Sequence, residues 1–115
     1  MTLSCARAGY ALEMEPDFVT VAQLSSVPAS RGLTVRMGGH ELALFRFAGE
    51  ICALDGKCPH RGGSLGEGTV EDGTVFCPLH GWQFDLRTGA CLDNPDRPAR
   101  SLPVRVVDGQ IQVQL

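Results

Sequence analysis

The chain has 115 residues and a net charge of −3, from ten basic and thirteen acidic side chains. That length supports one compact domain with its own apolar core and is too short for two of ordinary size. The acidic balance and the scatter of the basic residues argue against nucleic acid, whose phosphates call for a clustered Lys/Arg surface.

In chain order, Met1 to Glu15 carries one Arg7 ahead of a short apolar stretch broken by Tyr10, Glu13 and Glu15. This fits neither a secretory signal nor a membrane anchor, so no membrane partner is expected, and residues 1–15 read as a mobile tail. Phe18 to Ala22 supplies a first strand, and Leu24 to Arg31 is a turn-rich connection with room for one helical turn. Leu33, Val35 and Met37 alternate with Thr34 and Arg36, and Gly38-Gly39 makes a turn. His40 to Phe47 then runs as a near-continuous apolar strand of the kind buried on both faces, and Ala48-Gly49 leads into Glu50 to Leu54. Val104 to Val107, the turn Asp108-Gly109 and Gln110 to Leu115 form a hairpin. In it Ile111, Val113 and Leu115 alternate with Gln110, Gln112 and Gln114. Helical periodicity is almost absent and no internal repeat is evident. The fold class is therefore all-β, an antiparallel sandwich or barrel over residues 16–115, with an insert over about 55–93 that holds Gly-rich loops and a hairpin around Glu71-Asp72-Gly73.

The insert carries Cys58-Pro59-His60 and Cys77-Pro78-Leu79-His80, one thiol and one imidazole on each of two loops. These are the side chains that soft and borderline metals prefer, so Cys58, His60, Cys77 and His80 are the candidate ligands. A structural zinc ion accepts such a set, but paired zinc ligands usually have two or more residues between them and a helix often carries the histidines. Two metal ions sharing the load, with thiolates on one and imidazoles on the other, suit the repeated loop better. With two cysteines drawn to metal, Cys5, Cys52 and Cys91 are an odd set for a disulfide framework, which favours a reducing, cytoplasmic location. Cys52 and Cys91 read as core thiols, His40 as exposed, and Trp82 as packing under the second loop.

Cys58-Pro59-His60-Arg61-Gly62-Gly63 and Cys77-Pro78-Leu79-His80-Gly81-Trp82 resemble the two cluster-binding boxes of the Rieske iron–sulfur family. The resemblance runs over roughly residues 16–115 and includes Pro98, which falls where the family has a proline loop over its cluster. It implies one [2Fe–2S] cluster, with Cys58 and Cys77 on one iron and His60 and His80 on the other. It also implies Gly62, Gly63 and Gly81 as places of close backbone approach to the sulfurs. High-potential members add a cysteine to each box and a Ser and Tyr that bond the cluster sulfurs. Gly63, Leu79, Trp82 and Phe84 stand there instead, so the midpoint is expected at the low end of the class range of roughly −150 to +300 mV.

A large oxygenase subunit needs a further iron on two histidines and a carboxylate, and only His40 remains for it. Gly66-Glu67-Gly68-Thr69 lacks the third glycine and the strand-to-helix context of a nicotinamide or flavin fold. No complete catalytic site is therefore expected. The resemblance implies a one-electron carrier that takes electrons from a flavin reductase and passes them to a terminal oxygenase. The alternative is the small subunit of an NADH-dependent nitrite reductase, working with its large subunit.

Overall fold

The computed structural model describes residues 5–6, 8–9, 18–59 and 62–114. His60, Arg61 and Leu115 therefore lie outside the described residues, as does most of the segment 1–15. Among the described residues three sheets, antiparallel but for one edge strand, make the architecture. Strands β3 (Phe18–Gln23), β4 (Leu33–Met37), β5 (His40–Phe47) and β6 (Glu50–Asp55) lead into the insert, which contributes β7 (Thr69–Glu71), β8 (Thr74–Phe76) and β9 (Gln83–Asp85). The chain ends with β10 (Val104–Val107) and β11 (Gln110–Gln114). A single 3₁₀ turn, Leu24–Ser26, stands in the connection after β3, and among the described residues no helix is long and apolar enough to cross a membrane.

Four hairpins close through two-residue turns at 38–39, 48–49, 72–73 and 108–109, each with positive φ at both central residues. Such primed turns match the right-handed twist of the paired strands, which is why Asp72-Gly73 and Asp108-Gly109 act as turn signals. They set the registers Met37↔His40, Phe47↔Glu50, Glu71↔Thr74 and Val107↔Gln110.

Two short strands occur inside the segment expected as a tail. β1 (Cys5–Ala6) pairs with the free edge of β6, and β2 (Ala8–Gly9) runs parallel to β10. The physical reason is the edges: without these partners β6 and β10 would present unpaired backbone groups. The sheets then read β1-β6-β5-β4, β2-β10-β11-β3 and β7-β8-β9.

The two faces of β5 and β6 build two different cores. Leu42, Leu44, Ile51 and Ala53 pack against Val104, Val106, Ile111 and Val113 of the C-terminal hairpin. Ala43, Phe45, Cys52 and Leu54 point the other way, against Leu65, Val75, Phe84 and Leu86 of the insert. Phe45 and Phe84 are fully buried, each contributing about 1.5–3 kcal/mol by leaving water. Strand β5 is thus apolar at consecutive positions because it is the wall between the framework and the insert. Its second core is the floor on which the cysteine loops stand.

Cys52 lies in that floor, buried as expected, but as a disulfide-bonded residue and not the free core thiol read from the sequence; its register partner across the ladder is Cys5. Pairing of β1 with β6 brings these two distant positions opposite each other, a juxtaposition no local pattern reveals. Cys91 is a buried free thiol.

Candidate metal centre

Both cysteine motifs occupy the same kind of loop. In the first, Cys58 N–H donates to the Gly63 carbonyl at 2.7 Å and Gly62 N–H donates to the Cys58 carbonyl at 2.8 Å. In the second, Cys77 N–H donates to the Trp82 carbonyl and Gly81 N–H to the Cys77 carbonyl, both at 2.8 Å. The flanking residues pair as Lys57↔Ser64 and Phe76↔Gln83. The glycine four places after each cysteine has positive φ, 74° at Gly62 and 79° at Gly81, and this turns the chain back on itself. A third loop has the same closure. Asp85 N–H donates to Ala90 at 2.9 Å and Gly89 N–H to Asp85 at 2.8 Å, with Phe84↔Cys91 flanking. Sequence reading missed this repeat. Its signal is the glycine four residues after Cys58, Cys77 and Asp85, a spacing too short and too sparse to register as a repeat.

The loops bring Cys58, Cys77 and His80 together. Their ligand atoms all lie within 4.8 Å of one another, with both thiols free and buried and His80 partly buried. Cys58 Sγ is 3.2 Å from His80 Nε2. Trp82 N–H donates to His80 Nδ1 at 3.3 Å, and the indole meets the imidazole edge-on with centroids 5.3 Å apart. Trp82 also packs on the insert core, as the sequence suggested. His60, the fourth expected ligand, belongs to the first loop but lies outside the described residues.

Burial pushes the Cys77 thiol above its ordinary value, and the neighbouring Cys58 adds to the rise. Backbone N–H groups of Leu79 and His80 bond the sulfur and work in the opposite direction, favouring the thiolate. A buried Cys77 thiol that resists ionisation, with donors already aimed at its sulfur and a second buried thiol beside it, is satisfied when a cation takes the place of the proton.

Gly63 completes the cradle. A methyl group placed on it would lie 3.0 Å from Cys77 Sγ and 3.0 Å from Leu79 Cγ, so the first loop can lean against the second thiol only without a side chain there. Gly62 and Gly81 make no such approach to the protein itself: a methyl group on either would meet no protein atom within 4 Å, and each adopts the positive φ that favours glycine. From the far side, Arg97 Nη1 donates to the Pro59 carbonyl at 3.4 Å, which holds the segment of exposed Pro98 beside the first loop. His40 is exposed on β5, outside this group.

Two buried thiols and a partly buried imidazole in a close-fitting cradle fit the donor chemistry of a mixed cysteine–histidine iron–sulfur centre. The Rieske [2Fe–2S] domain matches residues 17–108, and the chain belongs to that family. Its cofactor is accordingly a Rieske [2Fe–2S] cluster. The anthranilate 1,2-dioxygenase ferredoxin subunit of Burkholderia cepacia is 44% identical over 79 residues, covering 68% of this chain and 73% of that one. The fold superposes on a Sphingomonas yanoikuyae B1 ferredoxin with a TM-score of 0.78 at 28% identity, covering 84% and 97% of the two chains. A Mycobacterium tuberculosis protein assigned as an NADH-dependent nitrite reductase small subunit gives 0.76 at 31% identity, covering 84% and 92%.

Proposed function

We propose that Cys58 and Cys77 hold one iron of the cluster and His60 and His80 the other, and that the chain is the ferredoxin component of an oxygenase system. It carries single electrons from a flavin reductase to a terminal oxygenase. The observation that carries this reading is the meeting of Cys58, Cys77 and His80 within 4.8 Å at the ends of two identically closed loops. The chemistry a bound Rieske cluster supplies is reversible uptake of one electron. The chain's own residues set the conditions for it. Burial of both thiols keeps water from the sulfurs, and the N–H groups of Leu79 and His80 stabilise charge on Cys77. The Trp82 N–H fixes the orientation of the His80 ring. Gly63, Leu79, Trp82 and Phe84 carry no hydroxyl or thiol, so the midpoint lies toward the low end of the class.

The cytoplasm is the location in this reading, because Cys91 is a buried free thiol and Cys58 and Cys77 are committed to metal; the bond at Cys52 is the exception. The deciding experiment is visible absorption and low-temperature spin resonance of the dithionite-reduced protein, with His60→Ser and His80→Ser beside it. Each variant is expected to lose the Rieske signal. An unchanged signal in either removes that histidine from the ligand set, and a midpoint above about +100 mV removes the low-potential reading.

The second reading, a nitrite reductase small subunit, is favoured by the likeness to the M. tuberculosis protein. A stable complex with a large sirohaem subunit supports it, whereas reductase-driven oxygenase turnover with this chain as a dissociable carrier supports the first.

A further inference from the structure

Outside the ligand loops, Glu41, the second residue of β5, contacts the strand end that follows the first loop. Its side chain is 9% exposed. One oxygen accepts a hydrogen bond from the Ser64 hydroxyl at 2.9 Å, and the other lies 3.4 Å from Arg36 Nη2. The backbone of Glu41 holds the same region a second time, since its carbonyl accepts Gly56 N–H at 2.8 Å. Gly56 in turn accepts Leu65 N–H at 2.7 Å. There is no room to move: a methyl group on Gly56 would lie 2.8 Å from Glu41 Cγ and 3.0 Å from its carbonyl oxygen. Ser64 forms the last pair before the first loop, opposite Lys57, and adjoins Gly63, which leans on the Cys77 sulfur.

We infer that Glu41 is a positioning residue of the cluster site: by gripping Ser64 it sets how closely the first cysteine loop is held against the second. The inference rests on the reading under Proposed function and adds a residue that no metal motif contains. The second loop has its own support, because β8 and β9 run directly into it. The first has β6 on one side and only the turn 65–67 on the other. Its return side therefore depends on a contact from the framework, and a part-buried hydroxyl-to-carboxylate bond is among the stronger ones available. The carboxylate also places one negative charge near the site, and that charge disfavours an added electron.

The test uses the holoprotein as wild type, Ser64→Ala, Glu41→Ala and Glu41→Gln, following bleaching of the visible bands by an excess of chelator, the spin resonance line shape, and the midpoint. Ser64→Ala and Glu41→Ala are expected to lose cluster about tenfold faster than wild type and to change the line shape. Glu41→Gln keeps an acceptor for Ser64, so its loss rate stays within about twofold of wild type while its midpoint moves upward. Wild-type loss rates and line shape in both Ser64→Ala and Glu41→Ala overturn the inference, even if their melting temperatures fall. So does Glu41→Gln bleaching as fast as Glu41→Ala. A wild-type protein with no Rieske signal overturns the functional reading itself, a result separate from these.

Discussion

The loop from Asp85 to Ala90 and the second cysteine loop, Cys77 to Trp82, share one backbone and differ in chemistry. Both are closed by the same pair of hydrogen bonds, and both turn at a glycine with φ of 79°. In both, the first residue accepts N–H groups from the residues two and three places on. Asp85 Oδ1 takes those of Arg87 and Thr88 at 2.8 and 3.1 Å, and the Cys77 sulfur takes those of Leu79 and His80. The backbone therefore creates a site for an anionic acceptor before any metal is involved. Oxygen there makes a self-sufficient turn, whereas sulfur beside a second buried thiol and an imidazole makes half of a metal site. The metal motif is a substitution pattern written on a structural loop that recurs three times among the described residues.

Exchanging the acceptors breaks the comparison most severely. Cys77→Asp keeps an acceptor for the Leu79 and His80 N–H groups, so the loop is expected to close and the chain to fold, yet the visible cluster bands disappear entirely; circular dichroism and absorption read the two halves. Retained bands would show that the sulfur of Cys77 is not what holds the metal.

The glycines come next. Gly62, Gly81 and Gly89 all have positive φ, which costs a residue with a side chain about 1–2 kcal/mol. Only at Gly89 would the added methyl also collide with the Ala99 carbonyl oxygen. Gly89→Ala is therefore expected to destabilise by about 3 kcal/mol or more and Gly81→Ala by about 1 kcal/mol, measured by denaturant unfolding. Equal losses would mean that the two turns are less alike than their hydrogen bonds indicate.

Asp85→Ala removes the acceptor from the third loop and leaves two N–H groups to water. A loss of about 1–2 kcal/mol is expected, with the cluster's spin resonance unchanged, because the loop holds no metal ligand. An altered line shape would place Asp85 in the cluster's surroundings.

The smallest effect is an alkaline one in the metal-free protein. Burial raises the Cys77 thiol above its ordinary 9.0, so the folded chain holds that proton more tightly than the unfolded chain. The contribution is present in full below about pH 9 and is lost as pH rises from there through the folded value. Denaturation midpoints from about pH 8 to 10.5 are expected to fall, and Cys77→Ala is expected to flatten that slope.

What could be read from the linear chain was whatever short-range chemistry specifies. Cys58, Cys77 and His80 announce a soft-metal site because their side chains have few other uses at that spacing, and the structure brings these three together. Asp72-Gly73 and Asp108-Gly109 announce turns because few residue pairs accept positive φ twice. Ala48-Gly49 was legible only from the strands on either side, since alanine gives no such signal. The apolar run 42–45 showed a strand buried on both faces, but not which partner lay on each.

The rest depends on residues far apart in sequence and was decided in three dimensions. Folding sets Cys5 opposite Cys52, β1 and β2 on exposed sheet edges, and Glu41 against Ser64, twenty-three positions away. The sequence by itself determined which donors are present and where the chain turns, because both follow from a residue and its immediate neighbours. Only the tertiary structure decided which donors meet, what holds them, and that a carboxylate loop repeats the backbone of a thiolate loop. Those properties come from packing between segments, and no window along the chain contains them.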